Sequence, residues 1–442
     1  MMQKLHFQRL VTQSVTEKSA GRVAAEVMRR IWWVGRATVR LVTSAATVPG
    51  RYAVRKSVFA LAILSLTLGV DGALAANDAP DLRAAGPFPV GVTTAVLVDS
   101  KRTDAFTKEP RTLVTEIWYP ATDNARQAPK NKYSDFLPGG VTPEIDAAVQ
   151  KTYKMPVAEI DKLFVNESVR DARVREGKFP LIVFSHGNGG NRHQNTFWCD
   201  YLASYGYVIV SADHVGNANM TILKGKPITY QGDQRAASAV DRPKDMSFLL
   251  DQMTLWNRGA EKRFAGKLAL DAPCASGMSF GAMTAVDVVA LDPRFKSMIA
   301  MSGASLSHTN LTVPSLWMLG QEDRTIGTAG NILIRAHHNR HTGPSFLLEL
   351  KEGGHYSFTD MFKINKTFGD GVGPGKRRET QEPFEYTSME KTYEIVNACS
   401  LAFLDVYVRG KRDRLPFLMK NHWPQEVVWK VSGVGETAKA NP

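Results

Sequence analysis

From Pro180 onward, the chain alternates short apolar runs with longer amphipathic ones, and this alternation constrains the fold more than any other feature. The apolar runs predict strands at 181–185, 207–212, up to 276, and at 297–301, 315–319 and 345–350. The amphipathic runs predict helices at about 194–205, 242–256, 281–291, 329–338 and 388–408. Doubly buried strands that alternate with helices indicate an α/β protein with a mostly parallel sheet covered on both faces. Ligand chemistry is then expected at the carboxyl ends of the strands.

The part before Pro180 predicts an addition to this sheet and an insert. Two alternating β-branched stretches between Val92 and Pro120 predict an N-terminal antiparallel strand pair. Residues at about 121–178 form a polar insert, in which prolines predict the starts of short helices at 143–153 and 156–164. Two interpretations of the insert stay open, a lid over a pocket and a solvated decoration.

The positive charge of the chain is concentrated at its N-terminus. The formal net charge is +12, and residues 1–56 hold eleven Lys and Arg against Glu17 and Glu26. The remainder is close to neutral, so no nucleic-acid partner is predicted.

A secretory signal peptide explains the basic segment. Basic residues precede an apolar run at 58–70, and the small-x-small pattern Ala73-Leu74-Ala75 follows it. Because the apolar run is short for a membrane span, a permanent anchor is the less favoured alternative. We therefore divide the chain into an extension and signal peptide at 1–75 and a domain at 76–442, exported and with no stable membrane span after cleavage.

Residues 277–281 read Gly-Met-Ser-Phe-Gly, a G-x-S-x-G pattern that predicts a nucleophile at Ser279. Small residues on both sides let a strand turn sharply into a helix, which lifts the serine hydroxyl above the sheet. Such a hydroxyl needs a base, and the base needs a group that orients it. His355 follows a predicted strand behind two glycines and is the predicted base. Asp323 follows the strand at 315–319 and is the predicted acid, with Glu322 as the alternative.

Acyl transfer also needs donors for a developing oxyanion. The backbone N–H of Phe280, directly after the serine, is one predicted donor. The other is the N–H of Asn188, in the glycine-rich segment 186–190, which lacks the G-K-[ST] ending of a phosphate loop. His337 and His341 have helical metal-ligand spacing, but no glutamate follows the first histidine. A solvated helix is therefore the preferred interpretation, and neither a metal nor another cofactor is predicted.

The ordered set of motifs resembles the α/β-hydrolase superfamily. It comprises Phe-Pro-Leu-Ile-Val-Phe-Ser-His-Gly at 179–187, Ala-Asp-His-Val-Gly-Asn at 212–217, Arg-Pro-Lys-Asp-Met-Ser-Phe-Leu-Leu-Asp at 242–251, the serine motif and Gly-His-Tyr-Ser-Phe-Thr-Asp at 354–360. From about 86 to 409 the chain is most similar to bacterial dienelactone-hydrolase-like esterases grouped with platelet-activating factor acetylhydrolase. The resemblance implies a serine esterase that acts on short acyl esters without a cofactor.

Three departures from these relatives weaken a narrow substrate prediction. Met278 and Ala282 replace the usual histidine and second glycine of the serine motif. No carboxylate stands where the acetylhydrolases carry their acid, which favours Asp323. Dienelactone hydrolases use cysteine as the nucleophile, whereas this chain has serine. The resemblance also implies that Cys199 and Cys399 lie close enough for a disulfide.

The sequence therefore predicts an exported serine hydrolase that cleaves short-acyl carboxylic esters, with a small-molecule ester or lipid as its substrate. Alternatives with the same residues are lactone, amide, phospholipid acetyl and polyester hydrolysis. An inactive hydrolase fold used for binding is a further alternative.

Overall fold

The structure, a computed structural model, describes residues 82–435, which lie within one compact unit at Pro80–Pro442. The predicted basic extension and signal peptide lie outside the described residues. No helix in the part of the chain that the structure describes is both long and apolar enough to cross a membrane.

The described residues form fourteen strands. They are β1 (Val90–Thr103), β2 (Pro110–Pro120), β3 (Ser168–Arg170), β4 (Phe179–Ser185), β5 (Val208–Ala212), β6 (Met220–Leu223), β7 (Lys226–Thr229), β8 (Leu268–Met278), β9 (Ser297–Met301), β10 (Ser315–Gly320), β11 (Ser345–Leu350), β12 (Pro374–Lys376), β13 (Pro383–Glu385) and β14 (Val427–Ser432).

Eight α-helices accompany them in the same residues. They are α1 (Pro143–Tyr153), α2 (Val157–Leu163), α3 (Thr196–Ser204), α4 (Arg235–Leu255), α5 (Phe280–Leu291), α6 (Gly327–Arg340), α7 (Met389–Tyr407) and α8 (Leu415–Leu418). Short 3-10 helices occur at Asp123–Gln127, Tyr133–Phe136, Gly232–Gln234, Lys262–Phe264, His355–Phe358, Met361–Lys363, Lys366–Phe368 and Arg412–Arg414, and a π-helical turn at Trp256–Ala260.

Ten strands form one sheet in the order β14-β11-β10-β9-β8-β4-β5-β2-β1-β3. The six strands from β11 to β5 run parallel, while β1 and β2 pair antiparallel as predicted. The predicted α/β architecture is therefore confirmed. The strand order reverses between β4 and β8, whose carboxyl ends are neighbours through the pairing of Ser185 with Gly277. Such a switch point is where open α/β sheets bind ligands.

Alternate residues of the central strands enter two apolar cores, one on each face of the sheet. In β4, Ile182 and Phe184 join the core that contains α3 and α7. Leu181 and Val183 join the core that contains α4 and α5. Because successive side chains of a strand point to opposite faces, continuous apolar runs are what a doubly covered sheet requires.

The insert at 121–178 is built into the first of these cores. Tyr133, Phe136, Val149 and Ile160 are each 0% exposed and belong to the same apolar cluster as the strands. The predicted short helices are present as α1 and α2, and Thr142 caps α1 by accepting the N–H of Ile145 at 3.2 Å. The insert is therefore part of the packed domain and not a solvated decoration.

Two expectations differ from the structure. The helix expected from 242 begins at Arg235, so Pro243 lies inside α4 and not at its first turn. Cys199 and Cys399 are free buried thiols, so the expected disulfide is wrong. Helices α3 and α7 do pack together, with Trp198 Nε1–H donating to Ser400 Oγ at 3.0 Å, but both sulfurs are taken up by the apolar core.

Candidate active site

Ser279 stands at the turn between β8 and α5 in a strained backbone conformation. Its φ and ψ are 58° and −118°, a region that residues other than glycine rarely adopt. The Ser279 N–H donates to Met301 O at 2.7 Å, which holds the turn against β9. The strain sits on the serine itself, as the motif predicts.

The two glycines of the motif are needed for close approach. A Cβ on Gly277 would lie 2.2 Å from Gly281 O, and a Cβ on Gly281 would lie 1.8 Å from Ser185 O. Neither distance is tolerable for a side chain. The start of α5 therefore packs directly on the end of β4, which brings Ser279 beside the loop that follows β4.

The predicted base and acid lie in line with this serine. His355 Nε2 is 2.9 Å from Ser279 Oγ, and His355 Nδ1 is 2.7 Å from Asp323 Oδ2. Asp323 is 0% exposed and His355 is 1% exposed. Because the carboxylate can only accept, Nδ1 carries the proton, and the neutral Nε2 is left to accept from the serine hydroxyl.

Asp323 is fixed by its own loop. Its Oδ1 accepts the N–H groups of Thr325 and Ile326, both at 2.9 Å, so the second oxygen is free for His355. Glu322, the alternative acid, instead accepts the N–H of Arg378 at 2.6 Å. The structure thus places Asp323, and not Glu322, against the histidine.

The oxyanion loop, residues 186–190, lies directly beside the serine. A Cβ built on Gly187 would come within 3.4 Å of Ser279 Cβ. The N–H of Gly187 is occupied by Gln194 Oε1 at 2.9 Å, and that of Gly189 by Asn217 O at 3.0 Å. Within residues 82–435 the N–H groups of Asn188 and Phe280 donate to no protein acceptor. These are the two predicted oxyanion donors.

A hairpin holds the side chain of Asn188. Its Nδ2 donates to Tyr230 Oη at 2.8 Å, just after β7, and its Oδ1 accepts from Asn217 Nδ2 at 2.9 Å. A cavity of about 280 Å³ adjoins this loop, lined by Lys151, Thr152, Gly189, Asn219, Thr229 and Tyr230. The end of α1, which belongs to the insert, therefore lies beside the oxyanion loop.

A second Ser–His–Asp array lies behind the loop. Ser185 Oγ is 2.9 Å from His214 Nε2, and His214 Nδ1 is 2.8 Å from Asp245 Oδ2. All three side chains are at most 1% exposed, and Ser185 Oγ also accepts from Arg242 at 2.9 Å. A serine that no substrate reaches and whose oxygen is already engaged is structural.

Charge and burial keep this array in one protonation state. Burial, together with the nearby Arg242 charge, lowers the pKa of His214 to about 3. Burial alone would raise the pKa of Asp245, but Arg111 and the bond to His214 hold it well below its usual range. Asp213-His214 and Arg242-Pro243-Lys244-Asp245 belong to two of the motifs that resemble the α/β-hydrolase superfamily. The sequence contained these residues, but no role was predicted for them.

His337 and His341 were assigned to a solvated helix, but this is wrong, because both side chains are buried. His337 Nε2 is 2.7 Å from Ser305 O, and His341 Nε2 is 2.8 Å from Val313 O. A ring nitrogen that faces a carbonyl carries the proton, so only Nδ1 of each ring has a lone pair to offer a metal. Among the described residues, no group of three or more His, Cys, Asp or Glu side chains could hold a metal ion.

Comparisons with known proteins support the fold and the resemblance of the segment before Ser279. Residues 76–271 match the family model of platelet-activating factor acetylhydrolase, isoform II, a segment that includes the oxyanion loop and ends before Ser279. A solved ferulic acid esterase from Streptomyces cinnamoneus is similar in fold, with a TM-score of 0.58 and 24% identity over 73% of this chain and 91% of that chain. No curated protein matches this chain. The resemblance is therefore borne out at the level of the fold: the chain has the α/β-hydrolase fold, and its residues 76–271 are similar to the platelet-activating factor acetylhydrolases.

Proposed function

We propose that the chain is an exported serine esterase that hydrolyses short-acyl carboxylic esters, with Ser279 as its nucleophile. The observation that carries the proposal is the hydrogen-bonded line from Asp323 through His355 to Ser279, at 2.7 and 2.9 Å. These are hydrogen-bond distances for a nucleophile, its base and the group that orients the base. The strained serine and two unoccupied backbone donors complete the set that acyl transfer requires.

In the acylation step, Ser279 Oγ attacks the ester carbonyl carbon while His355 Nε2 accepts the hydroxyl proton. The carbonyl oxygen becomes an oxyanion and accepts the N–H groups of Asn188 and Phe280. Asp323 accepts from Nδ1–H and stabilises the imidazolium. The tetrahedral intermediate then expels the alcohol, which takes the proton from Nε2.

Deacylation repeats the same steps with water. His355 Nε2 removes a proton from a water molecule, the resulting hydroxide attacks the acyl-serine carbonyl, and the oxyanion forms again at the same donors. Collapse releases the carboxylic acid and returns the proton to Ser279 Oγ. The reaction needs no redox change and no further reactant.

A fluorophosphonate probe tests the nucleophile. We expect one label per chain, on the peptide that contains Ser279, and no label in the Ser279→Ala variant. The variant should also lose kcat by about 10⁶-fold for p-nitrophenyl acetate. Ser307→Ala removes an exposed serine and serves as the control. Labelling of the peptide that contains Ser185, or an active Ser279→Ala enzyme, would overturn the proposal.

The short acyl chain is supported by the similarity of residues 76–271 to platelet-activating factor acetylhydrolase, whose name denotes the removal of an acetyl group. We expect kcat/KM for p-nitrophenyl esters to fall by about tenfold or more from the acetate to the decanoate, since a site shaped for a short acyl group would leave a long chain partly in water. A rate that rises with chain length would indicate a lipase-like substrate instead.

The family match favours a second candidate substrate, the acetyl ester of a phospholipid. The same three catalytic residues would cleave this ester. They would also cleave a lactone, an amide or a polyester. The rate of acetate release from a 2-acetyl phospholipid is compared with that from p-nitrophenyl acetate at equal concentration. This comparison distinguishes a phospholipid acetylhydrolase from a general short-chain esterase. If neither substrate is cleaved faster than by Ser279→Ala, a binding role is the better explanation.

Export is proposed from the sequence at 51–75 alone. Expression of the full chain in a bacterium with a C-terminal tag should give a mature N-terminus at Ala76 in the exported fraction. A tagged product that keeps residues 1–75 in the cytoplasm would contradict this part of the proposal.

A further inference from the structure

The oxyanion loop rests on a buried arginine of α4. Arg242 is 0% exposed, and its Nη2 donates to the backbone oxygen of His186 and to Ser185 Oγ at 2.9 Å. Its Nη1 donates to Asn217 Oδ1 at 2.8 Å. All three acceptors belong to the ends of β4 and β5 or to the loops that follow them, so one guanidinium joins the two loops.

The Arg242 guanidinium is linked to both residues that supply the oxyanion donors, Asn188 and Phe280. Asn217, which accepts from Arg242, donates its own Nδ2 to Asn188 Oδ1 at 2.9 Å. The Arg242 Cζ atom also lies 4.4 Å from the ring centroid of Phe280, within the range of a cation–π contact. Asn188 and Phe280 supply the two free N–H groups, so a change at Arg242 would disturb both at once.

His186 fixes the donor peptide of Asn188 from a second side. Its Nε2 is 3.1 Å from the N–H of His214 and accepts from it, so its proton is on Nδ1. Nδ1 lies 2.7 Å from Gly187 O and donates to it. That oxygen and the N–H of Asn188 belong to the same peptide plane. Burial and the Arg242 charge lower the pKa of His186 well below its usual value, which keeps the ring neutral.

Arg242 also carries a buried charge without an ion pair. Within the described residues no carboxylate lies at salt-bridge distance from it, and its Nε–H has no acceptor. Asp245, one turn along α4, pairs instead with Arg102 and Arg111 at 2.8 and 2.6 Å. A buried, unpaired cation costs stability, so its presence here calls for an explanation outside stability. Here it adjoins the loop that would receive a negative charge during ester hydrolysis.

We propose that Arg242 is a positioning residue for the transition state: it holds the donor peptides of Asn188 and Phe280, and its charge favours the oxyanion that they bind. The inference rests on the proposed function. Fixed donors and dipoles aimed at a developing charge are generally the largest contribution to such catalysis. An effect confined to the transition state lowers kcat and leaves KM nearly unchanged.

The test compares two variants. Arg242→Gln removes the positive charge, whereas Arg242→Lys keeps the charge on a side chain without the planar guanidinium. We expect Arg242→Gln to lower kcat for p-nitrophenyl acetate by about 30-fold, with KM within about threefold. Arg242→Lys should lose less, about fivefold. A trifluoromethyl ketone mimics the oxyanion, so its inhibition constant should rise by the same factor by which kcat/KM falls.

Arg235→Gln is the matched control. Arg235 also faces the Phe280 ring, with its Cζ 5.4 Å from the centroid, but it is exposed and its side chain makes no hydrogen bond within residues 82–435. We expect kcat within about threefold of the unaltered enzyme. The inference fails if folded Arg242→Gln keeps kcat within twofold, or if kcat falls while the inhibition constant of the ketone stays the same.

A structure of the unaltered enzyme with the ketone tests the inference even if the variants do not fold. The hemiketal oxygen should lie about 3 Å from the nitrogens of Asn188 and Phe280, with Arg242 still on the oxygen of His186. An oxygen bound elsewhere would overturn the inference. If the unaltered enzyme cleaves no ester at all, the proposed function fails and this inference with it. An active enzyme with fully active Arg242→Gln removes only the inference.

Discussion

At the scale of single residues, the assignment of the acid makes a sharp prediction. Asp323→Asn would present an amide to His355 Nδ1 and favour the tautomer that leaves no acceptor for Ser279, so kcat should fall by about 10⁴-fold. Glu322→Gln should stay within about threefold, because Glu322 forms an ion pair with Arg377 and accepts the backbone N–H of Arg378. Steady-state kinetics on p-nitrophenyl acetate measure both. The reverse order of the two losses would make Glu322 the acid.

Single residues also differ in whether their roles can be predicted from the sequence. Ser279, Asp323 and His355 each follow a strand in a short motif, so local pattern was enough to select them. Arg242 and Asp245 stand in an equally visible motif, but their partners Asn217 and Arg111 lie 25 and 134 residues away. The role of a buried charge depends on such distant partners, and no local sequence pattern predicts which residues those partners are.

At the scale of elements, the turn from β8 into α5 depends on close packing against β4. Gly281→Ala should destabilise the protein by about 3 kcal/mol, since its Cβ would stand 1.8 Å from Ser185 O and the backbones must separate. Ala282→Gly, one residue on, restores the usual motif and should cost only about 1 kcal/mol through helix entropy. Urea unfolding gives both values. Equal stabilities would show that β4 yields easily, contrary to the packing described.

Elements also mark the limits of prediction from the sequence. The doubly apolar strands β4, β5, β9, β10 and β11 were foreseen, because burial on both faces leaves a continuous apolar run. Strand β8 was foreseen only as a short strand that ends at residue 276, because the first half of Leu268–Met278 is partly exposed. Strand β14 was missed: it lies at the sheet edge with four of its six residues only half-buried, so its pattern is weak. The hairpin of β6 and β7 was missed as well, although it leads to Tyr230 and so reaches the site.

At the scale of the whole molecule, the three cysteines report on the integrity of the fold. All are free and buried, and burial raises the pKa of each thiol, that of Cys274 to about 12. Because the thiolate is the reactive form, native protein should not react with Ellman's reagent. Unfolding in urea without a reductant should release three thiols per chain. One thiol per chain would show that Cys199 and Cys399 are bridged after all.

Buried histidines and buried carboxyl groups have opposite effects on how the stability of the whole molecule depends on pH. The fully buried histidines His186, His193 and His214 have lowered pKa values, so acidification below about 6.5 protonates only the unfolded chain and destabilises the fold. Burial raises the pKa of Asp200 and of Asp360 to about 7, so these carboxyls bind protons in the folded state first. They stabilise the fold as the pH falls from about 7 towards 4 and offset part of the histidine effect.

Asp200→Asn separates the two contributions. The amide still accepts the N–H of Glu167, as Asp200 Oδ2 does at 2.8 Å, but it cannot titrate. Between pH 7 and pH 5 the free energy of unfolding of the variant should therefore fall by about 2 kcal/mol more than that of the unaltered protein. Urea unfolding at constant ionic strength measures it, and Asp360→Asn should behave alike. Parallel pH curves for variant and unaltered protein would mean that the buried carboxyl is ionised throughout, which requires a compensating charge that its surroundings do not provide.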